Sequence, residues 1–396
     1  MTFKDGDWFR RTLLRWYSRH RRRLPWRKKP TPYRVWVSEV MLQQTQVSRV
    51  VEYFERFVTR FPDVGSLARA RLDDVLRLWQ GLGYYARARA LHQAAKVVQK
   101  RFGGDVPGVQ AALLALPGVG RSTAGAILSI GFGQPVPVLD ANVARVLVRL
   151  HAIERPWPRV PAGRRARGTS DLWHRAARLL DRQRPGQWNQ ALMELGALVC
   201  LPRRPRCPHC PVRRWCRAFS LGKADELPRR APPRAKPFYE VAVGVILRRG
   251  RVLISRRPEE GLLGGLWEFP GGKLEGGESA AEALERELFE ELGTHVTVEK
   301  PLTAVRHAYS HFRVRLHPFL CQLAPGQRVR RGGAVRWVWP SQLDRYAVPT
   351  ATARIIAEVR TLLRHTRLRS RCLTGQPGVL LTPIPEMFHV KHRPTV

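Results

Sequence analysis

The sequence predicts two domains in series, an all-α half followed by an α/β half. Three observations carry this. Up to about residue 220 the apolar residues recur at helical spacing. From residue 239 onward short runs alternate apolar and polar with a period of two, with helical stretches between and after them. Between the two regimes lies AFSLGKADELPRRAPPRAKP, residues 218–237, whose prolines and mixed charges mark a linker. A chain of 396 residues has room for two or three domains of ~100–200 residues each.

Residues 1–30 are basic and aromatic, with Trp8, Phe9, Trp16, Tyr17 and Arg21 to Arg23, and end in Leu24-Pro25-Trp26-Arg27. Pro32 then leads into a long helical pattern from Val35 to Phe61, carried by Val40, Val47, Val50, Phe54, Phe57 and Phe61. Glu39 places a charge early in that pattern, and Gln43, Gln44 and Gln46 follow it. Helices are expected over Leu67–Trp79 and Tyr85–Phe102, separated by Gly81-Leu82-Gly83. Ala111–Leu116 precedes a Gly118-Val119-Gly120 hairpin, Ser122–Ile130 follows it, and Asp140 opens Ala141–Leu150. Asp171–Leu180 and Trp188–Val199 complete the helical half. In the second half, strands Tyr239–Leu247 and Val252–Arg256 flank Arg249-Gly250, a hairpin turn. The helix Ser279–Leu292, strands Phe312–Leu323 and Ala334–Trp339, and a closing helix Thr350–Leu363 follow. The expected boundaries are 1–217, a linker at 218–237, an α/β domain at 238–365, and a tail at 366–396 without periodic pattern and expected to be disordered.

The composition narrows the partners. With 70 Lys and Arg against 31 Asp and Glu, the net charge is +39. An arginine-rich surface accounts for part of it, but so large an imbalance attracts polyanions and makes binding salt-sensitive. Nucleic acid is the leading partner and a membrane surface the second. No run reaches ~18 consecutive apolar residues, and the N-terminus lacks an apolar signal core. A cytoplasmic protein is expected, in which the six cysteines are ligands or free thiols rather than a disulfide framework.

Several motifs carry chemistry. Gly118 and Gly120 suit a tight turn that a Cβ would obstruct, and the helix after them would offer amides to a phosphate. A plain helix–turn–helix corner reads the same way. Asp140 suits a helix N-cap, where the dipole favours an ionised carboxylate; beside a sugar such a group can stabilise an oxocarbenium ion or trap it. Cys200-x6-Cys207-x2-Cys210-x5-Cys216 offers four thiolates to Zn²⁺ or to a [4Fe–4S] cluster, and spacing alone leaves that open. Between its first two cysteines lie Arg203, Arg204 and Arg206, suited to phosphates.

The hairpin together with VLDANVARVL resembles the helix-hairpin-helix DNA glycosylases, and SEVMLQQTQV (Ser38–Val47) resembles the adenine glycosylases of the MutY family. The similarity covers about residues 8–220 and 238–365. It implies an all-α helix-hairpin-helix glycosylase with an iron–sulfur module at about 197–217, then an α/β Nudix-fold domain. It implies hydrolysis of the N-glycosidic bond of adenine mispaired with 8-oxoguanine or guanine in double-stranded DNA, by a monomeric, nucleoid-associated bacterial enzyme.

The residue roles follow from that resemblance. Glu39 would be general acid and base, since purine departure needs protonation at N7 and desolvation among apolar residues raises a carboxyl pKa. Asp140 would stabilise or trap the sugar cation, with Asn142 as its supporting amide. Gln44 would wedge into the duplex beside the lesion, although a polar helix face explains it equally. Trp26, Arg27 and Gln190 would stack on and bond to the flipped adenine, and Glu194 is left as structural. Gly118, Val119 and Gly120 would hold a phosphate. Cys200, Cys207, Cys210 and Cys216 would hold [4Fe–4S]. Related lyases carry lysine where this chain has Ser122, which points to a monofunctional enzyme and leaves Ser122 a pocket role.

Gly272-x5-Glu278-x7-Arg286-Glu287-Leu288-x-Glu290-Glu291-x-Gly293 is a complete Nudix box apart from Thr294. Glu287, Glu290 and Glu291 share a helix face suited to Mg²⁺ on a diphosphate. The box is commonly degraded in the MutY family. Its completeness leaves two alternatives, an inherited box without activity or a hydrolase of 8-oxo-dGTP in the manner of MutT. Tyr309, Ser310 and His311 resemble the family's loop that reads 8-oxoguanine. A binding scaffold without turnover is a third alternative, opposed by the pairing of Glu39 with Asp140.

Overall fold

A computed structural model describes residues 3–155, 170–229, 235–309, 312–329 and 334–373. The N-terminal half is helical throughout: α1 Phe3–His20, α2 Pro25–Lys28, α3 Pro32–Leu42, α4 Val47–Arg60, α5 Val64–Arg69, α6 Leu72–Trp79, α7 Ala86–Phe102, α8 Gln110–Leu114, α9 Arg121–Ala126, α10 Ala141–Leu150, α11 Ser170–Leu179, α12 Pro185–Leu198 and α13 Arg217–Ser220. α9 runs on as a π-helical turn, Ile127–Gly131.

These helices build two cores. One gathers α2 to α9 around Trp36, Phe54, Phe57, Trp79 and Leu91. The other joins α1 to α10, α11 and α12, around Phe9, Leu13, Leu147, Trp188 and Leu192. The chain's first helix therefore packs with its later ones, and the groove between the two cores is where the site forms. α1 was not expected as a helix, although Phe9, Leu13, Leu14 and Tyr17 fall on one helical face and are buried.

The expected single helix from Val35 to Phe61 is two, α3 and α4. The break lies at Gln43–Gln46, where Gln44 takes a left-handed conformation with φ 56°. Arg87 captures the last carbonyls of α3, so the chain turns there although the apolar spacing runs on. The expected Leu67–Trp79 helix is likewise two, opened by an Asp63–Ser66 capping box and divided at Ala70–Arg71, where the Ala70 carbonyl bonds to His92. The remaining helices keep their expected places within a few residues.

The C-terminal half has β1 Phe238–Arg248, β2 Arg251–Arg256, β3 Trp267–Glu268, α14 Ala280–Leu292, β4 Val296–Pro301, β5 Val305–Ala308, β6 Arg313–Leu323, β7 Val335–Val338 and α15 Thr350–Leu373. The sheet runs β3-β2-β1-β6-β4, with β5 also on β6 and β7 also on β2. β1 and β6 are parallel; the other pairs are antiparallel. Arg249 and Gly250, with φ of 49° and 73°, close the β1–β2 hairpin as expected. A Ser279–Glu282 capping box opens α14, and Gly293 in the left-handed region ends it. α14 covers one sheet face and α15 the other. α15 reaches Leu373, so residues 366–373 are helical where a patternless tail was expected; 374–396 lie outside the described residues.

The halves dock. Leu266, fully buried, and Ala347 belong to the α2–α9 core, and Leu263 packs on it. Arg89 on α7 donates to the Gly264 carbonyl, and Arg256 pairs with Asp73 at 3.4 Å.

Candidate active site

A cavity of ≈ 150 Å³ opens between the two helical cores. Glu39 enters it from α3, Asp140 and Asn142 from the start of α10, Gln190, Met193 and Glu194 from α12, and Trp26 and Arg27 from α2. Six residues singled out in the sequence therefore meet in one place: Glu39, Asp140, Asn142, Trp26, Arg27 and Gln190.

Glu39 lies between the buried Ser38 and Val40. Burial pushes its carboxyl up to about 7, Asp140 nearby adds to the rise, and Arg27 opposes it. A carboxyl raised that far keeps a proton available near neutral pH, as a group acting first as acid and then as base requires.

Asp140 is the N-cap of α10, its Oδ1 accepting from the Val143 N–H at 2.7 Å. Asn142 donates to Oδ2 at 3.0 Å. The helix dipole was expected to dominate here. Instead burial raises the Asp140 pKa, against the bonds from Val143 and Asn142 and the charge of Arg145. Its ionised form is thus desolvated but fully bonded.

The supports of these residues were not foreseen. Arg145, nearly buried, donates to Asn142 Oδ1 at 2.9 Å, to the Gly196 carbonyl at 2.7 Å and to the Cys200 carbonyl at 2.7 Å. Asn189, also buried, donates to Ser129 and the Val136 carbonyl and accepts from the Val138 N–H, which fixes the strand of chain entering Asp140. Gly196 lets α12 approach so closely that a Cβ there would lie 2.6 Å from Asn142 Cβ. Glu194, taken as structural, lines the cavity and bonds Arg22 and Arg27, each ion pair at 2.9 Å. Its burial favours the neutral acid, but the bonds from the two arginines prevail and hold it at about 2. Gln190 accepts from the Tyr17 hydroxyl at 3.2 Å. Trp26 meets Phe54 edge-on.

Other candidates sit elsewhere. Gln44 is exposed on the α3–α4 turn. Gly118 has φ 75°, and a Cβ would touch Ala90 at 2.7 Å. Gly120 is extended, with nothing within 4 Å of an added Cβ, so the turn itself demands only the first glycine. Val119 is buried. Ser122 is half-buried on the first turn of α9 and is not among the residues lining the cavity.

Cys200 follows α12 directly; Cys207 opens and Cys210 ends one short 3₁₀ turn, Cys207–His209, and Cys216 ends a second, Arg213–Trp215, the loop being pinned to the second core by Val212 and by Trp215, which meets Phe9 edge-on at 5.6 Å. Arg149, buried on α10, reaches Cys200 Sγ at 3.2 Å and the Leu201 carbonyl at 2.6 Å. Burial pushes the thiols of Cys207, Cys210 and Cys216 up, Cys210 to about 12, and all three also feel Cys200. Arg203, Arg204 and Arg206 are exposed.

In the second half, Glu278, Glu287 and Glu290 each pair with Arg286, at 2.7, 3.4 and 3.5 Å. Burial, Glu268 and Glu287 together push Glu291 up to about 6. Arg286 thus ties together two of the three carboxylates read as an Mg²⁺ face, Glu287 and Glu290, and leaves Glu291 outside its reach. Tyr309 stacks on Phe312 at 4.7 Å and lines a separate cavity of ≈ 430 Å³. It lies close enough to Tyr85 of the helical half for that hydroxyl to contribute to its raised pKa, which burial takes to about 12. Ser310 and His311 lie outside the described residues.

The HhH-GPD superfamily of base excision DNA repair proteins matches residues 37–160, and the NUDIX domain matches residues 242–358. The adenine DNA glycosylase of Mus musculus is 36% identical over 93% of this chain and 81% of its own length. That of Rattus norvegicus is 37% identical over 99% and 86%. That of Buchnera aphidicola is 29% identical over 90% and 98%.

Proposed function

Because the chain belongs to the adenine DNA glycosylases, base excision repair hydrolases of the HhH-GPD superfamily with a Nudix domain, we propose that it removes adenine mispaired with 8-oxoguanine or guanine in double-stranded DNA, without cutting the strand. The observation that carries this reading is the one cavity in which Glu39 meets an Asp140 bonded by Val143 and Asn142. The flipped adenine stacks on Trp26 and is bonded by Arg27 and Gln190. Glu39 gives its proton to N7 as the glycosidic bond opens, Asp140 stabilises the sugar cation, and Glu39 then draws a proton from the attacking water. Asn142 holds Asp140 in place.

Cys200, Cys207, Cys210 and Cys216 fit a [4Fe–4S] cluster: four half-buried thiols on one loop, within electrostatic reach of one another. Bound there, the cluster would turn the thiols into thiolates and cross-link the loop. The loop presents Arg203, Arg204 and Arg206 to phosphates, and the hairpin from Gly118 to Gly120 holds another phosphate. The Nudix domain reads 8-oxoguanine through the loop at Tyr309, with Ser310 and His311, beside the Tyr85 edge of the helical half. Acting as a monomer, the enzyme works on nucleoid DNA in a bacterial cytoplasm.

An end-labelled duplex with one 8-oxoguanine:adenine pair tests the reading. Free adenine and a band that appears only after hot alkali are expected. Direct nicking, with a borohydride-trappable adduct, would overturn it. Gly196→Ala is expected to lower the single-turnover rate on this duplex by about 10²-fold, since displacing reacting groups by ~1 Å costs on that order. The added methyl pushes Asn142, and with it Asp140, away from α12.

A further inference from the structure

We propose that Arg87 is a positioning residue that holds the turn at Gln44 and the neighbouring turn at Tyr84 in register with the helix carrying Glu39. Its guanidinium donates to the carbonyls of Val40 at 2.9 Å and Met41 at 2.8 Å, to that of Gln43, and to Thr45 Oγ1 at 3.1 Å. On its other side it donates to the carbonyls of Gly83 at 3.0 Å and Tyr84 at 3.4 Å. All six acceptors are uncharged oxygens. Three are carbonyls at the C-terminal end of α3 and its cap, where the helix dipole favours a cation. The guanidinium also lies over the rings of Trp79, at 5.5 Å, and Tyr84, at 5.2 Å.

What sets this arginine apart is the backbone it spans. Gln44 and Tyr84, with φ of 56° and 51°, are both non-glycine residues in the left-handed region. Arg87 bonds the residues on both sides of Gln44, and the carbonyls of Tyr84 and the residue before it. Strained turns persist only where their surroundings over-determine them, and such turns collect at sites that grip ligands. One planar fork thus over-determines two at once. Val40 and Met41, the next residues after Glu39, are among its anchors. The position of the wedge is thereby referred to the position of the acid.

This inference rests on the glycosylase reading and on Gln44 entering the duplex. The test compares two substrates for the full-length protein: adenine within an 8-oxoguanine:adenine duplex, and adenine opposite a one-nucleotide gap, where unstacking costs least. Arg87→Met is expected to slow the first by about 10²-fold and the second by no more than about threefold. Adding Arg87→Met to Gln44→Ala is expected to cost little beyond Gln44→Ala alone, since residues acting through one another are non-additive. Equal slowing of both substrates, no slowing of either, or additive losses in the double variant would each overturn the proposal. Should the methionine variant fail to fold, Arg87→Lys carries the same comparison, keeping the charge and losing the fork. A wild-type protein that releases no adenine would instead remove the underlying reading.

Discussion

Glu39→Gln is expected to slow adenine release by about 10²–10⁴-fold, the range that a positioned acid–base contributes. Glutamine keeps the volume and cannot give up a proton, so the loss reports the chemistry and not the packing. Binding of the mispaired duplex should remain. The pH profile carries a second signature. The acid must be protonated when the bond opens, so the wild-type rate should fall as pH rises through about 7, where burial has placed Glu39. Asp140 must be ionised, so the rate should also fall on the acid side, at a pH above the ordinary aspartate range because burial raises that group. Glu39→Gln removes the alkaline limb.

The same carboxyl has a cost in stability whose sign can be checked. In the unfolded chain Glu39 ionises near 4.5; in the fold it holds its proton to about 7. Stability is therefore lost as pH rises from the first value through the second. Above pH 7 the glutamine variant should be the more stable, by up to about 3 kcal/mol at ~1.4 kcal/mol per pH unit, read as a higher denaturation midpoint. An inactive variant that is more stable than its parent at pH 8 and level with it at pH 4 is the expected pattern. A variant that loses stability at pH 8 would count against a desolvated Glu39.

Asp140→Asn is expected to reduce the single-turnover rate by about 10²–10³-fold, the cost of removing one preorganised charge from a reacting centre. Asparagine caps helices about as well as aspartate, so the Val143 N–H keeps its acceptor and the melting temperature should hardly move. Asp140→Ala should lose both, about 1 kcal/mol of stability with the cap as well as the rate. Comparing the two separates the structural role of this carboxylate from its chemical one. A full-rate asparagine variant would show that the sugar cation is stabilised by something else.

The parts of the site that were legible in the sequence are those whose chemistry lies in the side chain. Glu39 stood out as a charge in an apolar pattern, Asp140 as a cap before a helix, and the cysteines by their spacing. Arg87, Arg145 and Asn189 were not legible, because their partners are mainly backbone groups distant in sequence. A helix end, a turn and a loop present those groups only once folded. The same cause hid the break between α3 and α4: the apolar stripe continues across it, and Arg87, far along the chain, decides where α3 stops. The partners of Glu194 were hidden for a related reason. Its position one turn after Gln190 was plain, but the two arginines that keep it ionised come from the other end of the helical half. In α1 the apolar face of Phe9, Leu13, Leu14 and Tyr17 is masked in the sequence by the basic residues around it.

Leu266 belongs by sequence to the Nudix half and by burial to the helical core, as Ala347 does. Each half thus completes the other, and the free energy needed to unfold one includes the loss of its contacts with the second. Melting temperature, for this chain, is a shared property of both halves rather than a sum of two independent ones. A substitution on α6 or α7 that disturbs this contact would loosen the Nudix half from a distance while leaving its own sheet untouched. The peptide between the halves needs no rigidity to align them. It supplies a high effective concentration, and the buried leucine supplies the registration.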